Sequence, residues 1–251
     1  MKKASFKDTR LYVPDALSAG AHVTLSRTQT HYILHVMRLK TGDFVCLFNG
    51  RDGEWHATIA MNISREVEVM VNELLRPQRA KPDLWLCCAP IKRAYFDYMI
   101  MKATELGVAH IQPVLTSRTQ VREVNIDRCH AISIEAAEQS ERLTLPDIRQ
   151  AVTLDSLVQN WPQDRLPVIC AEIGEARSVY KALQSIDAKK GQKAAIITGP
   201  EGGFAPEELE KLRRLPHALP IRLGPRILRA DTAALAALAC WQAICGKWKD
   251  F

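Results

Sequence analysis

Apolar residues along this chain keep two different rhythms. From residue 1 to about 76 they alternate with polar ones, the period of a strand with one wet face. The run 44–48 alternates and ends at Asn49-Gly50-Arg51-Asp52-Gly53, a turn-rich loop, before 54–59 resumes the pattern. That sequence predicts a hairpin. A further alternation at 67–71 predicts another strand. Residues 29–39 place His31, Leu34, His35 and Arg38 on one helical face, which predicts a short helix packed on a small β-structure. The segment 77–83, PQRAKPD, breaks both periods with two prolines and several charges and reads as a linker.

Beyond it the pattern is α/β. Residues 84–89 form a continuous apolar run, as in a strand buried on both faces. A helix is predicted over 94–106, stopping at Gly107, and a strand over 108–115. Asp127 is the expected cap of a helix running to about Gln139. Strands at 168–171, 194–198 and 219–223 alternate with helices at 176–186 and after Pro206, a residue suited to a first helical position. The last helix is expected from 232 to about 248, with Asp231 at its N-cap. Its first half, Ala233 to Ala239, is apolar all round, the pattern of a helix buried on every side. The stripe Leu238, Trp241, Cys245 and Trp248 fits either a core or an interface. Such alternation predicts a parallel sheet with helices on both faces.

Composition narrows the class. A chain of 251 residues holds one large domain or two small ones, and 47% apolar with 25% charged residues is ordinary for a soluble globular protein. The formal net charge of +6 and the pI near 9.0 suit a polyanionic partner. Basic residues recur early: Lys2, Lys3, Lys7, Arg10, Arg27, Arg38, Lys40 and Arg51. Seven cysteines, including the pair Cys87–Cys88, show no C-x-x-C spacing, so no zinc site is expected. Their odd number, a polar N-terminus and the lack of a bilayer-length apolar run lead us to expect a cytoplasmic protein.

Candidate chemistry concentrates in two loops. The strand at 194–198 runs into Gly199-Pro200-Glu201-Gly202-Gly203-Phe204, and that at 219–223 into Gly224-Pro225-Arg226-Ile227-Leu228-Arg229. Glycine turns after strands offer backbone N–H groups to a ligand, although each loop alone is also an ordinary β–α turn. Neither loop fits a phosphate-binding template, and Glu201 stands where a phosphate would need a cation. A ligand with a cationic or neutral face is expected instead. Ile227 and Leu228 between two arginines are apolar residues in a turn, as in a pocket wall.

GPEGGF and LGPRILRADTA closely resemble the C-terminal signature of the SPOUT methyltransferases. More narrowly, they resemble the bacterial family that methylates N3 of uridine 1498 in 16S ribosomal RNA. HYILHVMRLKTGD, FNGRDGEWHATI, KATELGVAHIQPV and EAAEQSER match in order, so the resemblance covers nearly the whole chain. It departs at Asp231, where the family usually has glutamate. The resemblance implies a PUA-like RNA-binding β-barrel over 1–76 and, over 77–251, a SPOUT-type α/β domain with a parallel sheet and a trefoil knot. It implies S-adenosyl-L-methionine as cofactor, without metal, held by Thr198, Gly199, Pro200, Glu201, Gly202, Leu223, Gly224, Ile227 and Leu228. Catalytic roles would fall to Arg226, Arg229 and Glu201, and RNA contacts to Arg10, His31, Arg38, Lys92 and Arg93. The two loop arginines would stabilise a uracil anion or clamp phosphate. Glu201 would face a sulfonium or serve as a turn carboxylate capping a helix. The implied partners are 16S rRNA within the 30S subunit and a second copy of the chain, packed through the C-terminal helix. An RNA-binding protein without catalysis is the alternative, and the two intact loops argue against it.

Overall fold

Strand alternation in the first third of the chain builds a five-stranded sheet. In the computed structural model, which describes residues 9–63, 66–80, 83–171, 174–186, 192–246 and 248, its strands are β1 (Thr9–Tyr12), β2 (His22–Thr24), β3 (Phe44–Phe48), β4 (Glu54–Ile63) and β5 (Glu66–Arg76). Lys2, Lys3 and Lys7 lie outside the described residues, as do residues 81–82 of the expected linker 77–83. The order is β1-β3-β4-β5-β2, with β1 parallel to β3 and the other pairs antiparallel. The expected hairpin is present, with Phe48 opposite Glu54. Val45, Leu47, Ala57, Ile59, Val67, Val69 and Val71 alternate inward to make the core.

The helix expected over 29–39 is two pieces. Helix α1 (Arg27–His31) is closed by a capping box between Ser26 and Gln29, and a π-helical turn, Tyr32–Val36, follows it. The wider turn buries Ile33 and leaves His31, His35 and Arg38 exposed. Arg38 ends the segment in the left-handed region at φ 56°.

Contacts divide the chain into two units that are not consecutive in sequence. The first is Met1–Lys81 with Ala137–Leu145, and the second is Pro82–Ala136 with Pro146–Phe251. This corrects the simple division into 1–76 and 77–251. The reason lies in Arg10. Its guanidinium donates to the carbonyls of Ala137 (2.7 Å), Glu138 (2.8 Å) and Arg142 (3.0 Å) and pairs with Glu54 (2.5 Å), which also pairs with Arg76. The side chain of Arg10 is 10% exposed and lies over the ring of Phe48. Arg10 is therefore a structural cation inside this unit rather than the RNA contact expected of it.

The second unit follows the α/β pattern. Its strands are β6 (Leu84–Cys88), β7 (His110–Leu115), β8 (Asp147–Ile148), β9 (Val152–Thr153), β10 (Leu166–Cys170), β11 (Arg177–Ser178), β12 (Ala194–Thr198) and β13 (Leu219–Arg222). They form one parallel sheet in the order β11-β13-β10-β12-β6-β7-β8, with β9 also paired to β7. The helices are α2 (Arg93–Glu105), α3 (Ile126–Gln139), whose last residues count with the first unit, α4 (Leu154–Gln159), α5 (Val179–Gln184), α6 (Pro206–Arg213) and α7 (Ala230–Ile244). Helix α3 is capped by Asn125, which accepts from the Arg128 N–H at 2.9 Å, not by Asp127. Burial pushes the Cys87 thiol up to about 12, so this strand cysteine behaves as a small apolar residue.

Helix α7 begins earlier than expected, with Arg229 at its N-cap and Asp231 in its first turn. Nor is it buried on every side. Ala234, Ala237, Leu238 and Trp241 are buried, whereas Leu235, Ala236, Ala239 and Cys240 are half-buried. The helix packs on α2, α5, β10 and β12. The stripe is thus divided: Leu238 and Trp241 are core, Trp241 at 4% exposure, and Trp248 is exposed.

Candidate functional site

A parallel sheet delivers the C-terminal ends of its strands to one edge, and ligands bind there. Strand β10 lies between β12 and β13, so the loops after β12 and β13 rise on either side of its end. They enclose a cavity of about 310 Å³ with Cys170 and Ala171 of β10 and its exit in the wall. Thr198, Gly199, Pro200 and Gly202 line it from the first loop, and Leu223, Gly224, Ile227 and Leu228 from the second. These are the positions expected of a cofactor pocket, with Glu201 missing.

Each loop is shaped by its glycines. A Cβ on Gly199 would stand 3.3 Å from the ring of Phe204 and from the Gly203 backbone, tighter than ordinary packing. Gly224 has φ +151°, strained for any side chain, but open space beside it. Thr198 ends β12 almost wholly buried, and its hydroxyl has no hydrogen-bond partner among the described residues. A buried polar atom left unmade is costly, so this one marks a place for a ligand atom.

Two expected roles move. The Glu201 carboxylate accepts from the Lys92 N–H at 3.4 Å, at the N-cap of α2, so it faces a helix start rather than the cavity. Arg226 lines the cavity as expected. Arg229 does not line it; its guanidinium lies 3.5 Å from the hydroxyl of Tyr95. Lys92 and Arg93 are exposed in the first turn of α2, and His31 and Arg38 are exposed in the first unit.

Arg118 is the residue that sequence reasoning missed. Its guanidinium lines the cavity and donates to the carbonyls of Gly202 (2.8 Å) and Phe204 (3.4 Å). The loop carrying it is fixed by Glu208, which accepts from the Ser117 N–H (2.7 Å), the Ser117 hydroxyl (3.1 Å) and the Ala205 N–H (2.9 Å). Arg118 lies 84 residues before Gly202 and sits in no motif, so its only signal was a position just after a strand. Replacing it with alanine is expected to weaken cofactor binding about tenfold, the scale of one lost charge-assisted hydrogen bond. Calorimetry checks this, and undiminished affinity would remove Arg118 from the site.

A parallel α/β domain with a glycine-lined, lysine-free cavity at its strand ends belongs to the class that binds organic cofactors without a phosphate loop. Known proteins narrow the class. The RNA methyltransferase domain model matches residues 78–242, and the RNA methyltransferase PUA domain model matches residues 25–69. The ribosomal RNA small subunit methyltransferase E of Rickettsia conorii is 37% identical over 93% of this chain and 94% of its own. The protein of the same name from Synechocystis is 32% identical over 92% of this chain and 76% of its own. The crystal structure of the Neisseria gonorrhoeae enzyme of that name, bound to S-adenosyl methionine, superposes with a TM-score of 0.83 at 28% identity, covering 94% of this chain and 97% of that one. The chain belongs to this family of RNA methyltransferases.

Proposed function

We propose that the protein transfers a methyl group from S-adenosylmethionine to N3 of a uridine, uridine 1498, in 16S rRNA of the 30S subunit. The observation that carries the reading is the cavity between the two glycine loops, with the unpaired Thr198 hydroxyl in its wall and no lysine to hold a phosphate. The cofactor, when bound, supplies a methyl group already activated as a sulfonium, so the protein needs alignment more than functional groups. Thr198, Gly199, Gly202 and Gly224 would hold it through backbone and hydroxyl groups, and Ile227 and Leu228 would cover its apolar surface. Uracil N3 reacts after losing its proton, and Arg226 in the cavity wall is placed to stabilise the anion. Arg38, His31, Lys92 and Arg93 would meet RNA phosphates. Labelled S-adenosylmethionine and 30S subunits test the reading: label in 16S rRNA supports it, and RNA binding without transfer would leave only the RNA-binding alternative.

The same reading includes closure of the first sheet as a PUA-like barrel, a trefoil knot around the cofactor loops and a cytoplasmic setting, in keeping with an odd number of cysteines. No described helix is long and apolar enough to cross a membrane. It also includes a two-fold homodimer through α7, supported by the half-buried apolar face of Leu235, Ala236 and Ala239. Leu235→Arg is expected to give folded monomers of low activity in sedimentation at micromolar concentration. A persistent dimer would overturn this interface. Trp241→Arg would not test it, because that ring belongs to the core and a charge there unfolds the unit.

A further inference from the structure

We propose that the ring of Tyr95 is a stacking platform for the unpaired target base at the edge of the cavity, with Arg229 as its cationic partner. The proposal rests on the RNA methyltransferase reading above and adds a residue that reading does not use. Both cofactor loops touch the first turn of α2. Glu201 of the first loop meets the Lys92 N–H, and Arg229, the last residue of the second, reaches the Tyr95 hydroxyl. The exposed groups of that turn therefore stand next to both loops. They are two cations, Lys92 and Arg93, and one aromatic ring.

Tyr95 is 43% exposed, so part of its ring is open to a ligand. The Arg229 guanidinium carbon lies 5.8 Å from the ring centroid, with a nitrogen near the hydroxyl end. The guanidinium thus lies over the ring toward its hydroxyl end, and the exposure of Tyr95 leaves further ring surface open. Ile227, in the cavity wall, is 87% exposed and adds apolar surface on the same second loop. A basic turn with an open aromatic ring matches a nucleic-acid strand by charge and by stacking. It matches a second protein chain less well, because Lys92, Arg93 and Arg229 would all have to be desolvated.

The chemistry requires such a surface. N3 lies on the pairing edge of uracil, so the base must be unpaired to present it, and an unpaired base has lost its stacking. An aromatic side chain at the mouth of the site replaces that stacking for any base, which suits a residue that holds rather than reads. Tyr95 is thus a positioning residue with no part in cofactor binding.

The test compares wild type, Tyr95→Ala, Tyr95→Phe and Tyr98→Ala, the last carrying an exposed tyrosine one turn further along α2. Methyl transfer to 30S subunits and calorimetric affinity for S-adenosylmethionine are measured for each, with sedimentation for assembly. Tyr95→Ala is expected to lower kcat/KM for the subunit by about tenfold to a hundredfold, the range of one lost base–aromatic stack. Cofactor affinity and sedimentation should stay unchanged, Tyr95→Phe should keep most of the activity, and Tyr98→Ala should match wild type. Wild-type kinetics in Tyr95→Ala, an equal loss in Tyr98→Ala, or conversion of Tyr95→Ala to monomers would each overturn the platform. A wild type that binds cofactor yet labels no RNA would overturn the methyltransferase reading itself, and the platform with it.

Discussion

Gly199→Leu should remove cofactor binding while leaving the protein folded. The space a side chain would enter there is taken by the ring of Phe204 and the backbone of Gly203, both 3.3 Å from an added Cβ. Phe204 also lines the cavity, and its carbonyl accepts from Arg118, so a displaced ring disturbs the wall and its brace together. Overpacking of this kind costs about 1–3 kcal/mol. At the upper end that is roughly a hundredfold in affinity, all of it felt at the site because the loop lies outside the sheet. Gly224→Val tests the opposite cause: nothing crowds its side chain, and only the backbone at φ +151° resists. Its expected loss is smaller. Calorimetry with S-adenosylmethionine and a circular dichroism spectrum separate binding from folding, and full affinity in Gly199→Leu would refute the placement of the cofactor.

Arg10→Ala should produce the largest loss of stability among the charged positions. Glu54 is only 2% exposed and is held by Arg10 on one side and Arg76 on the other. Removing one partner of a buried ion pair typically costs about 3–5 kcal/mol, since a charge stays buried and half-compensated. The same substitution strips donors from three carbonyls of the segment Ala137–Leu145. Denaturant unfolding measures the change, and a loss under about 1 kcal/mol would contradict this role. The network also sets a pH dependence. Burial alone raises the Glu54 pKa, but the hydrogen bonds from Arg76 and Arg10 outweigh it and hold the carboxyl below its ordinary 4.5. A depressed carboxylate contributes its stability above its unfolded value and loses it as pH falls through the folded one. Wild type should therefore exceed Glu54→Gln in stability at neutral pH, and the gap should close as pH drops below about 4.5.

Much of the candidate site was legible before the fold was known. The loop glycines and the apolar pair Ile227–Leu228 could be read as a pocket because few residue types tolerate those backbones or belong in such turns. Local chemistry decides such features, and it is written in consecutive residues. Other readings failed where distance along the chain intervened. Glu201 was expected either near a sulfonium or as a carboxylate capping the next helix, and its carboxylate meets the start of a helix more than a hundred residues earlier. Arg229 was expected to stabilise a uracil anion or clamp phosphate, and it lies against Tyr95.

The sequence by itself determined the strand and helix periods, the hairpin at residues 49–53, the parallel α/β grammar beyond residue 83 and both glycine loops. Each follows from side-chain alternation, from glycine and proline geometry, or from contacts within a few residues. Only the tertiary structure decided which charges serve packing and which face solvent. Arg10 and Arg38 look alike in the chain, but one closes a buried network over Glu54 and the other stands exposed after a π-helical turn. It also decided that Arg118 braces the first loop and that α7 has one buried face and one half-open face. These outcomes depend on long-range pairings, in which the partner that satisfies or buries a group is fixed by the packing of the whole unit.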